Sequence, residues 1–434
     1  MAAHAYDKNG NRTSVTDAAS RVMSFAYDGL NRLTKQVLPD NTEINYQYDA
    51  DGNLWKVIDP NNLVTEYQYN GFGEVVTLIS PDTGATSYGY DAAGRRTTEG
   101  RANGKSITFS YDVLNRMTSR VSGSSTQSYT YDEGTYGKGR LTRVNDASGQ
   151  TTFTYTAGGE LGQQISTVAG TSYATTWTYD VHGRLMSMSY PNGLSIGVTY
   201  DSFGRPNSIT SNMGGPWGTV ASGFLYQPAS ASHYAWQFGN GRGRGMSVDA
   251  DGRTAALTSP GVHGLIYGYN NTNTIQSISD AVWGPNTTYG YDSSDRLTSV
   301  TRPDDGQSFG LDAIANRLTH VRQGVGYSYS LFSGTNRVQS IIGGTTRSYA
   351  YDSAGNLTTE NRAGTPWAYG YDEFDRKATV HANGTLVGQY VYDALDRRVS
   401  KAAAGTTTAY VYGPQGELLY ESGPTPTAYV AALW

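Results

Sequence analysis

A short segment that begins with Tyr-Asp returns along the whole chain at a nearly constant interval. Its tyrosine stands at positions 6, 27, 48, 69, 90 and 111, which are five consecutive steps of 21 residues. With degenerate copies included, twenty units extend from position 6 to position 412. Their mean step is therefore about 21 residues. Such regularity in a chain of 434 residues predicts an array of repeated structural units.

Each unit contains a predicted strand with two aromatic residues spaced two apart, as in Tyr46 and Tyr48. This spacing places both rings on one face of the strand, and the residue between them is small or polar. Aspartate follows the second ring, and Gly, Asn or Asp stands three residues later, as in Asp49 and Gly52. These residue types favour a chain reversal. A second strand and a second turn complete the unit, so each repeat is predicted to be a β-hairpin.

The composition excludes a mainly helical protein. The sequence contains 53 Gly and 35 Tyr, and only 16% of its residues are charged. Helical proteins are rich in Ala, Leu, Glu and Lys, whereas Tyr, Thr and Val favour strands and Gly favours turns. The chain is therefore predicted to be all-β.

Twenty hairpins contain about forty strands, which is more than an open twisted sheet tolerates without curling. At about 4.8 Å per strand, the sheet would be roughly 190 Å wide, or about one and a half turns of a cylinder about 40 Å across. We predict a spiralling β-sheet, and the low apolar content indicates that one of its faces looks onto water or a polar cavity. Residues 1–434 are predicted to form a single repeat region with a divergent insertion at 211–260. Open edges of such a sheet predict self-association.

The charge and the residue inventory exclude several classes of function. The net charge is −5 and no run of Lys or Arg is present, so nucleic acid is not a predicted partner. The chain has no Cys, and its six His stand at least 30 residues apart in the sequence. A thiolate site, a zinc motif and a Ser-His-Asp arrangement are therefore not recognisable. We predict no cofactor, no metal and no enzymatic activity.

The first ten residues, Met1 to Gly10, have neither a basic segment nor an apolar run. No signal peptide or membrane span is therefore recognisable. We expect a secreted or cell-surface protein that is exported by a signal-independent route, and a cytoplasmic location before export.

The repeated aspartates are the main acidic candidates for a site. As a ladder of carboxylates they could bind cations or sugars, but their fixed distance from a following Gly, Asn or Asp favours a structural role in the turns. Two of the segments resemble the start of a calcium loop but lack its glutamate at the twelfth position. The aspartates predicted to be structural turn residues are Asp28, Asp49, Asp91, Asp112, Asp180, Asp201, Asp292, Asp352, Asp372 and Asp393.

The aromatic residues are the other candidates. The repeat tyrosines return at the packing interval, so we expect each ring to stack on a ring of the neighbouring hairpin. Three tryptophans lie in or beside the divergent stretch 211–285 and do not follow the repeat. We predict them as the candidate glycan contacts: Trp217, Trp236 and Trp283.

The run from Tyr27 to Leu33 and its relatives at Tyr111, Tyr179, Tyr291 and Tyr392 resemble the YD repeat of Rhs proteins, teneurins and the BC component of insecticidal toxin complexes. The resemblance covers nearly the whole chain. An expanded turn at 131–141, the segment 226–228 and the segment 238–241 are similar to bacterial Rhs-type cores. The resemblance implies a large, spiralling β-sheet shell, hollow and barrel-like, that encloses a C-terminal cargo, usually a toxin, before delivery. We interpret this chain as a segment of such a shell.

Rhs cores usually end in an Asp-Pro-x-Gly type segment at which acidic residues cleave the chain and release the toxin. The last residues before Trp434 do not contain that segment, so neither self-cleavage nor a toxin domain is expected here. The first hypothesis is a non-enzymatic shell or scaffold of an Rhs-type polymorphic toxin that encapsulates or displays a polypeptide cargo or toxin domain. The alternative is a carbohydrate-binding adhesion module at the cell surface. A third hypothesis, an acid self-protease, has the weakest support.

Overall fold

The computed structural model describes residues 3–213, 218–228 and 232–430. Within these ranges the chain is all-β, with 41 strands in an antiparallel sheet and no helix. This confirms the prediction of an all-β fold built from about twenty hairpins. The chain divides into two compact units: unit 1 consists of residues 1–104 and 247–367, and unit 2 of residues 105–246 and 368–434. We call the two parts of each unit its early and its late segment.

The early segment of unit 1 contains β1 (Ala3–Tyr6), β2 (Arg12–Thr16), β3 (Val22–Tyr27), β4 (Leu33–Val37), β5 (Glu43–Tyr48), β6 (Leu54–Ile58), β7 (Val64–Tyr69), β8 (Val75–Ser80), β9 (Gly84–Tyr90) and β10 (Arg96–Gly100). The early segment of unit 2 contains β11 (Ser106–Tyr111), β12 (Met117–Ser122), β13 (Ser125–Tyr131), β14 (Leu141–Asp146), β15 (Gly149–Tyr155), β16 (Leu161–Val168), β17 (Thr171–Tyr179), β18 (Leu185–Ser189), β19 (Ser195–Tyr200), β20 (Pro206–Ser211), β21 (Gly218–Tyr226) and β22 (His233–Phe238).

Two strands contain boundary residues of the units: β23 (Gly243–Val248) and β35 (Thr365–Tyr371). The late segment of unit 1 contains β24 (Thr254–Ser259), β25 (His263–Tyr269), β26 (Ile275–Asp280), β27 (Thr287–Tyr291), β28 (Leu297–Thr301), β29 (Gln307–Leu311), β30 (Arg317–Arg322), β31 (Val325–Leu331), β32 (Val338–Gly343), β33 (Arg347–Tyr351) and β34 (Leu357–Arg362). The late segment of unit 2 contains β36 (Lys377–Ala382), β37 (Thr385–Tyr392), β38 (Arg398–Ala403), β39 (Thr406–Tyr412), β40 (Leu418–Glu421) and β41 (Thr427–Ala428).

A β-bulge precedes the repeat tyrosine in the hairpins. In the pair of β5 and β6, Gln47 lies opposite Lys56, but the next residue, Tyr48, lies opposite Leu54, so the register shifts by one residue. The same shift occurs in the following hairpin, before Tyr69. A bulge bends the strand and increases its twist locally. The tyrosine side chain is thereby turned toward the preceding hairpin.

The strands have two different faces. The two rings of a repeat are mostly half-buried, whereas the small or polar residue between them is commonly exposed. Exposed residues between the two rings are Ala26, Gln47 and Gln68 in unit 1 and Ser110, Thr154 and Thr178 in unit 2. One face of each such strand therefore contacts solvent, which accounts for a hydrophobic content of only 37%.

Within unit 1, the two segments meet through polar contacts between hairpin turns. The guanidinium of Arg21 lies 2.7 Å from the carboxylate of Asp295, and that of Arg296 lies 2.9 Å from Asp40. Three further contacts join Asn61 to Asp312 (2.8 Å), Asn336 to Asp82 (3.0 Å) and Asn103 to Asp352 (3.2 Å). Four of these five pairs are 249 to 256 residues apart. That separation equals about twelve repeats of about 21 residues.

Within unit 2, apolar side chains contribute more to the contact between the segments. Leu419 of the late segment is fully buried in a cluster with Trp177, Met188 and Ile196 of the early segment. The hydroxyl of Tyr129 donates a hydrogen bond of 2.7 Å to the carbonyl of Ala394. This unit therefore has a core in the ordinary sense, at the line where its two segments meet.

Truncation inside this cluster tests its role in stability. Ile196 is 0% exposed, so we expect Ile196→Ala to lower the free energy of unfolding by about 2–5 kcal/mol through lost burial and a residual cavity. Met186→Ala in the neighbouring strand is the control, because Met186 is 50% exposed and its truncation should change the same quantity by about 0.5 kcal/mol or less. Denaturant titration measures both variants, and equal effects would contradict the assigned core.

Candidate functional site

The repeat aspartates form the same hydrogen-bond network in successive turns. In the turn after β3, one carboxylate oxygen of Asp28 accepts bonds from the backbone N–H groups of Leu30 (2.9 Å) and Arg32 (3.0 Å). The other oxygen accepts a bond of 2.7 Å from Nε of Arg32. In other turns an asparagine amide replaces the guanidinium, as with Asn53 beside Asp49 and Asn356 beside Asp352.

The structure places all ten predicted aspartates in this arrangement. Backbone N–H groups two and four residues later donate to them at 2.8 to 3.0 Å, and the side chain four residues later donates at 2.6 to 3.1 Å. These aspartates are Asp28, Asp49, Asp91, Asp112, Asp180, Asp201, Asp292, Asp352, Asp372 and Asp393. Each carboxylate thus contacts its own turn, and the turn role that we predicted for it can be tested by substitution.

The repeat tyrosine joins each hairpin to the one before it. The hydroxyl of Tyr48 donates a bond of 2.8 Å to the carbonyl of Leu33, and the guanidinium of Arg32 lies 4.4 Å from the centre of the Tyr48 ring. The same hydroxyl bond, at 2.6 to 3.0 Å, recurs at Tyr27, Tyr69, Tyr90, Tyr131, Tyr155, Tyr179, Tyr200, Tyr226, Tyr269, Tyr291, Tyr392 and Tyr412.

Arginine is therefore a ring partner that the sequence pattern did not indicate. We expected each tyrosine to stack on a ring of the next hairpin, but the structure places the turn arginine of the preceding repeat over the ring. Examples are Arg184 over Tyr200 (4.6 Å) and Arg253 over Tyr269 (4.5 Å). A cation at this distance from an aromatic face is attracted by its quadrupole.

The hydrogen bonds lower the pKa values of several turn carboxylates. The backbone N–H groups of Arg32, Arg95 and Arg116 are the largest cause of the lowered pKa values of Asp28, Asp91 and Asp112. The side chain of Arg184 lowers the pKa of Asp180 to about 2. All of these groups are charged at neutral pH, which suits a turn acceptor and does not suit a general acid.

The predicted glycan contacts have different surroundings. Trp217 lies outside the described residues. Trp236 on β22 is half-buried against Phe224, Ile209 and Ala221, and its ring lies 6.2 Å from that of Phe224. Trp283, in the turn after β26, is 72% exposed. Of the two predicted contacts that the structure describes, Trp283 exposes its indole to solvent, and Trp236 is mainly a packing residue.

Two concave regions of unit 1 were not predicted. A cavity of about 490 Å³ lies where its segments meet, with Val15, Met23 and Ile314 in its wall. A groove of about 440 Å³ is lined by Tyr67, Tyr88 and other residues of the early segment. The described residues contain no group of three His, Asp or Glu side chains that could hold a metal ion. In the same part of the chain, no helix has the length and apolar character needed to cross a membrane.

The sequence pattern of one known family matches most of this chain. The teneurin YD-shell model matches residues 1–109, 102–202 and 250–431. The chain belongs to the teneurin YD-shell family. The unmatched residues 203–249 overlap the divergent insertion that we predicted at 211–260, where the structure describes strands β21 to β23. The boundaries of that insertion remain a prediction.

Solved structures with the YD-shell fold are similar to the whole of this chain. The Tc holotoxin pore of Photorhabdus luminescens aligns over 99% of it with a TM-score of 0.75 and 16% identity. The TcdB2-TccC3 structure aligns over 99% with a TM-score of 0.74 and 17% identity, and TcdB2-TccC3-Cdc42 over 98% with a TM-score of 0.73 and 16% identity. At such identities the comparison establishes the fold alone, and it confirms the predicted β-shell class.

The YD-shell chain described here spans 27% to 28% of the length of these three solved chains. No curated protein sequence matches it significantly.

The pKa of Asp180 predicts how acid destabilises the fold. Because it falls from about 3.8 to about 2 on folding, the carboxylate stabilises the native state above about pH 4, and this contribution is lost as the pH falls toward 2. We expect Asp180→Asn to lower the melting temperature at pH 7, and this difference from the wild type to shrink between about pH 4 and 2. Scanning calorimetry across this range measures it, with Asp304→Asn in an exposed turn as the charge control. A difference that stays constant with pH would contradict the assigned role.

Proposed function

We propose that this chain is a non-enzymatic shell or scaffold of an Rhs-type polymorphic toxin that encloses or displays a polypeptide cargo. The observation that carries the proposal is the agreement of 99% of the chain with the Tc holotoxin and TcdB2-TccC3 structures, at TM-scores of 0.75 and 0.74. Membership of the YD-shell family supports it further. The cargo would be a polypeptide or toxin domain, and neither a cofactor nor nucleic acid is required.

The two-faced strands suit a wall that contacts another polypeptide without trapping it. The exposed positions between the rings carry Ala, Gln, Ser and Thr, as at Gln47, Gln68 and Thr178. Large contiguous apolar patches bind other chains, whereas small polar side chains do not hold them strongly. The backbone of such a wall is already hydrogen-bonded within the hairpins, so it offers few free groups to a passing chain.

The turn carboxylates support the non-enzymatic part of the proposal. Asp28, Asp112 and Asp180 are engaged by backbone N–H groups and by an arginine, and their pKa values are lowered. A general acid needs the opposite shift. For location, we propose export by a signal-independent route to the exterior or cell surface, with a cytoplasmic stage before export.

Protease protection tests enclosure. An unfolded reporter peptide fused to the C-terminus should be digested at least about 10-fold more slowly than the same peptide added as a separate molecule, because proteases act only on accessible chain. Gel densitometry measures the digestion rates of the fused and the free peptide under the same conditions, and the rate for the chain itself in each reaction. Equal digestion of the fused and the free peptide would contradict enclosure and leave display as the role.

Carbohydrate binding at the cell surface is the second candidate function, and the exposed indole of Trp283 favours it. Aromatic faces that reach solvent can stack on sugar rings, and the Trp283 side chain is 72% exposed. Glycan-array binding should be lost on Trp283→Ala and retained on Trp55→Ala, whose indole lies 3.9 Å from the ammonium of Lys56. Absence of binding to any glycan by the unmodified chain would remove this candidate.

A further inference from the structure

The cavity of about 490 Å³ in unit 1 has walls from both segments of that unit. The early segment contributes apolar side chains, namely Val15, Met23, Leu38, Pro39, Ile44 and Pro60. The late segment contributes parts of two neighbouring turns, residues 293–296 after β27 and residues 313–315 after β29. Small-molecule sites in proteins have volumes of about 300 to 1,000 Å³ and mostly apolar walls. The cavity meets both conditions.

The turn after β27 has a counterpart in unit 2, the turn after β35. The guanidinium of Arg296, in the first of these turns, lies 2.9 Å from Asp40 of the early segment. In the second, the carbonyl of Glu373 accepts a bond of 2.7 Å from the hydroxyl of Ser122. These partners are 256 and 251 residues apart, which is about twelve repeats in both units. Each turn therefore lies on a second turn of its own early segment.

The two turns differ in the size of one side chain. Ser294 is the second residue after the turn aspartate Asp292, and Phe374 is the second residue after Asp372. Phe374 is 7% exposed, and its ring centre lies 4.9 Å from the guanidinium of Arg120 in the early segment. A phenylalanine thus fills space between the segments of unit 2, whereas unit 1 has the much smaller serine in the wall of its cavity.

The charged groups of the cavity wall are paired with one another. Each arginine of the wall is held by two carboxylates at 2.6 to 2.9 Å, Arg21 by Asp17 and Asp295 and Arg296 by Asp292 and Asp40. A charged ligand would have to compete with these partners for its counterion. The pairing therefore favours a neutral ligand, and the aliphatic side chains of the early segment favour an apolar one.

We propose that this cavity binds a neutral, apolar small molecule of about 15 to 20 non-hydrogen atoms, which is what about 490 Å³ holds at the packing density of a protein interior. Cavities lined by aliphatic side chains accept apolar molecules. The bound molecule contacts the early segment at Val15 and Met23 and the late segment at Ile314, so it joins the two segments. The cavity binds such a ligand whether or not the chain encloses a cargo, because its wall consists of this chain alone.

Titration of the full chain into the neutral fluorophore N-phenyl-1-naphthylamine tests the proposal, because the emission of this probe rises when it leaves water for an apolar site. We expect saturable binding with a dissociation constant below about 50 μM. The melting temperature of the chain should rise with probe concentration, since a ligand that binds only the native state stabilises it. Emission that shows no saturation up to about 200 μM chain would overturn the proposal.

Two substitutions that fill the cavity test its location. Ser294→Phe introduces the side chain that unit 2 has at this turn position, and Ala313→Leu enlarges a wall residue of the neighbouring turn. Each should raise the dissociation constant of the probe at least about 10-fold. Leu30→Phe is the matched control, because Leu30 has the same turn position in the early segment, is 72% exposed and lies outside the cavity wall. It should bind the probe like the wild type.

Circular dichroism melting verifies that the variants are folded. The turn accepts phenylalanine at the substituted position, as Phe203 and Phe374 show, and the two filling variants change different turns. Folded filling variants that bind the probe as tightly as the wild type would overturn the proposal and assign the probe to another surface. An equal loss of binding in the control Leu30→Phe would overturn it as well.

Discussion

The carboxylate of the turn aspartate is the group on which the repeat depends. It accepts two backbone N–H groups and an arginine or asparagine side chain, so the reversal needs no partner outside its own five residues, as at Asp28 to Arg32. The arginine that it holds then lies against the tyrosine of the next repeat, as Arg32 lies against Tyr48. One acidic residue therefore fixes a turn and places the side chain that joins two hairpins. Stability in such an array is a sum of unit and nearest-neighbour contributions.

The segments of each unit are joined by different kinds of contact. In unit 1 the pairs Arg21–Asp295 and Arg296–Asp40 retain 15% to 34% side-chain exposure, and ion pairs of this kind each contribute about 0–1 kcal/mol. In unit 2 the cluster around Ile196 and Leu419 excludes solvent, and burial of one such side chain contributes about 1.5–3 kcal/mol. Salt screens exposed pairs and affects apolar burial little or in the opposite direction. The contact between the segments of unit 1 is accordingly the more salt-sensitive one.

The local structure could be read from the sequence, and the contacts between distant repeats could not. The fixed distance from aspartate to Gly, Asn or Asp predicted the reversal, and the tyrosine interval predicted the hairpins. The bulge before Tyr48 left no signal, because a one-residue register shift follows from how the strands pair and has no residue type of its own. Arginine as the ring partner was missed because it precedes the tyrosine by sixteen residues, as Arg32 precedes Tyr48, and a strand pattern relates only alternate positions. The approach of Asp40 to Arg296 depends on the number of repeats between them, which twist and bulges determine together.

The exposed faces explain how a chain with a hydrophobic content of only 37% can be stable. In a sheet packed on both sides, Gln47 or Thr178 would be buried and would need hydrogen-bond partners, and each unpaired group would cost about 1–3 kcal/mol. Here both residues lie in solvent, so the cost does not arise. Burial is restricted to the ring face and to the lines where two segments meet. Such a sheet therefore needs no second layer of side chains against its polar face.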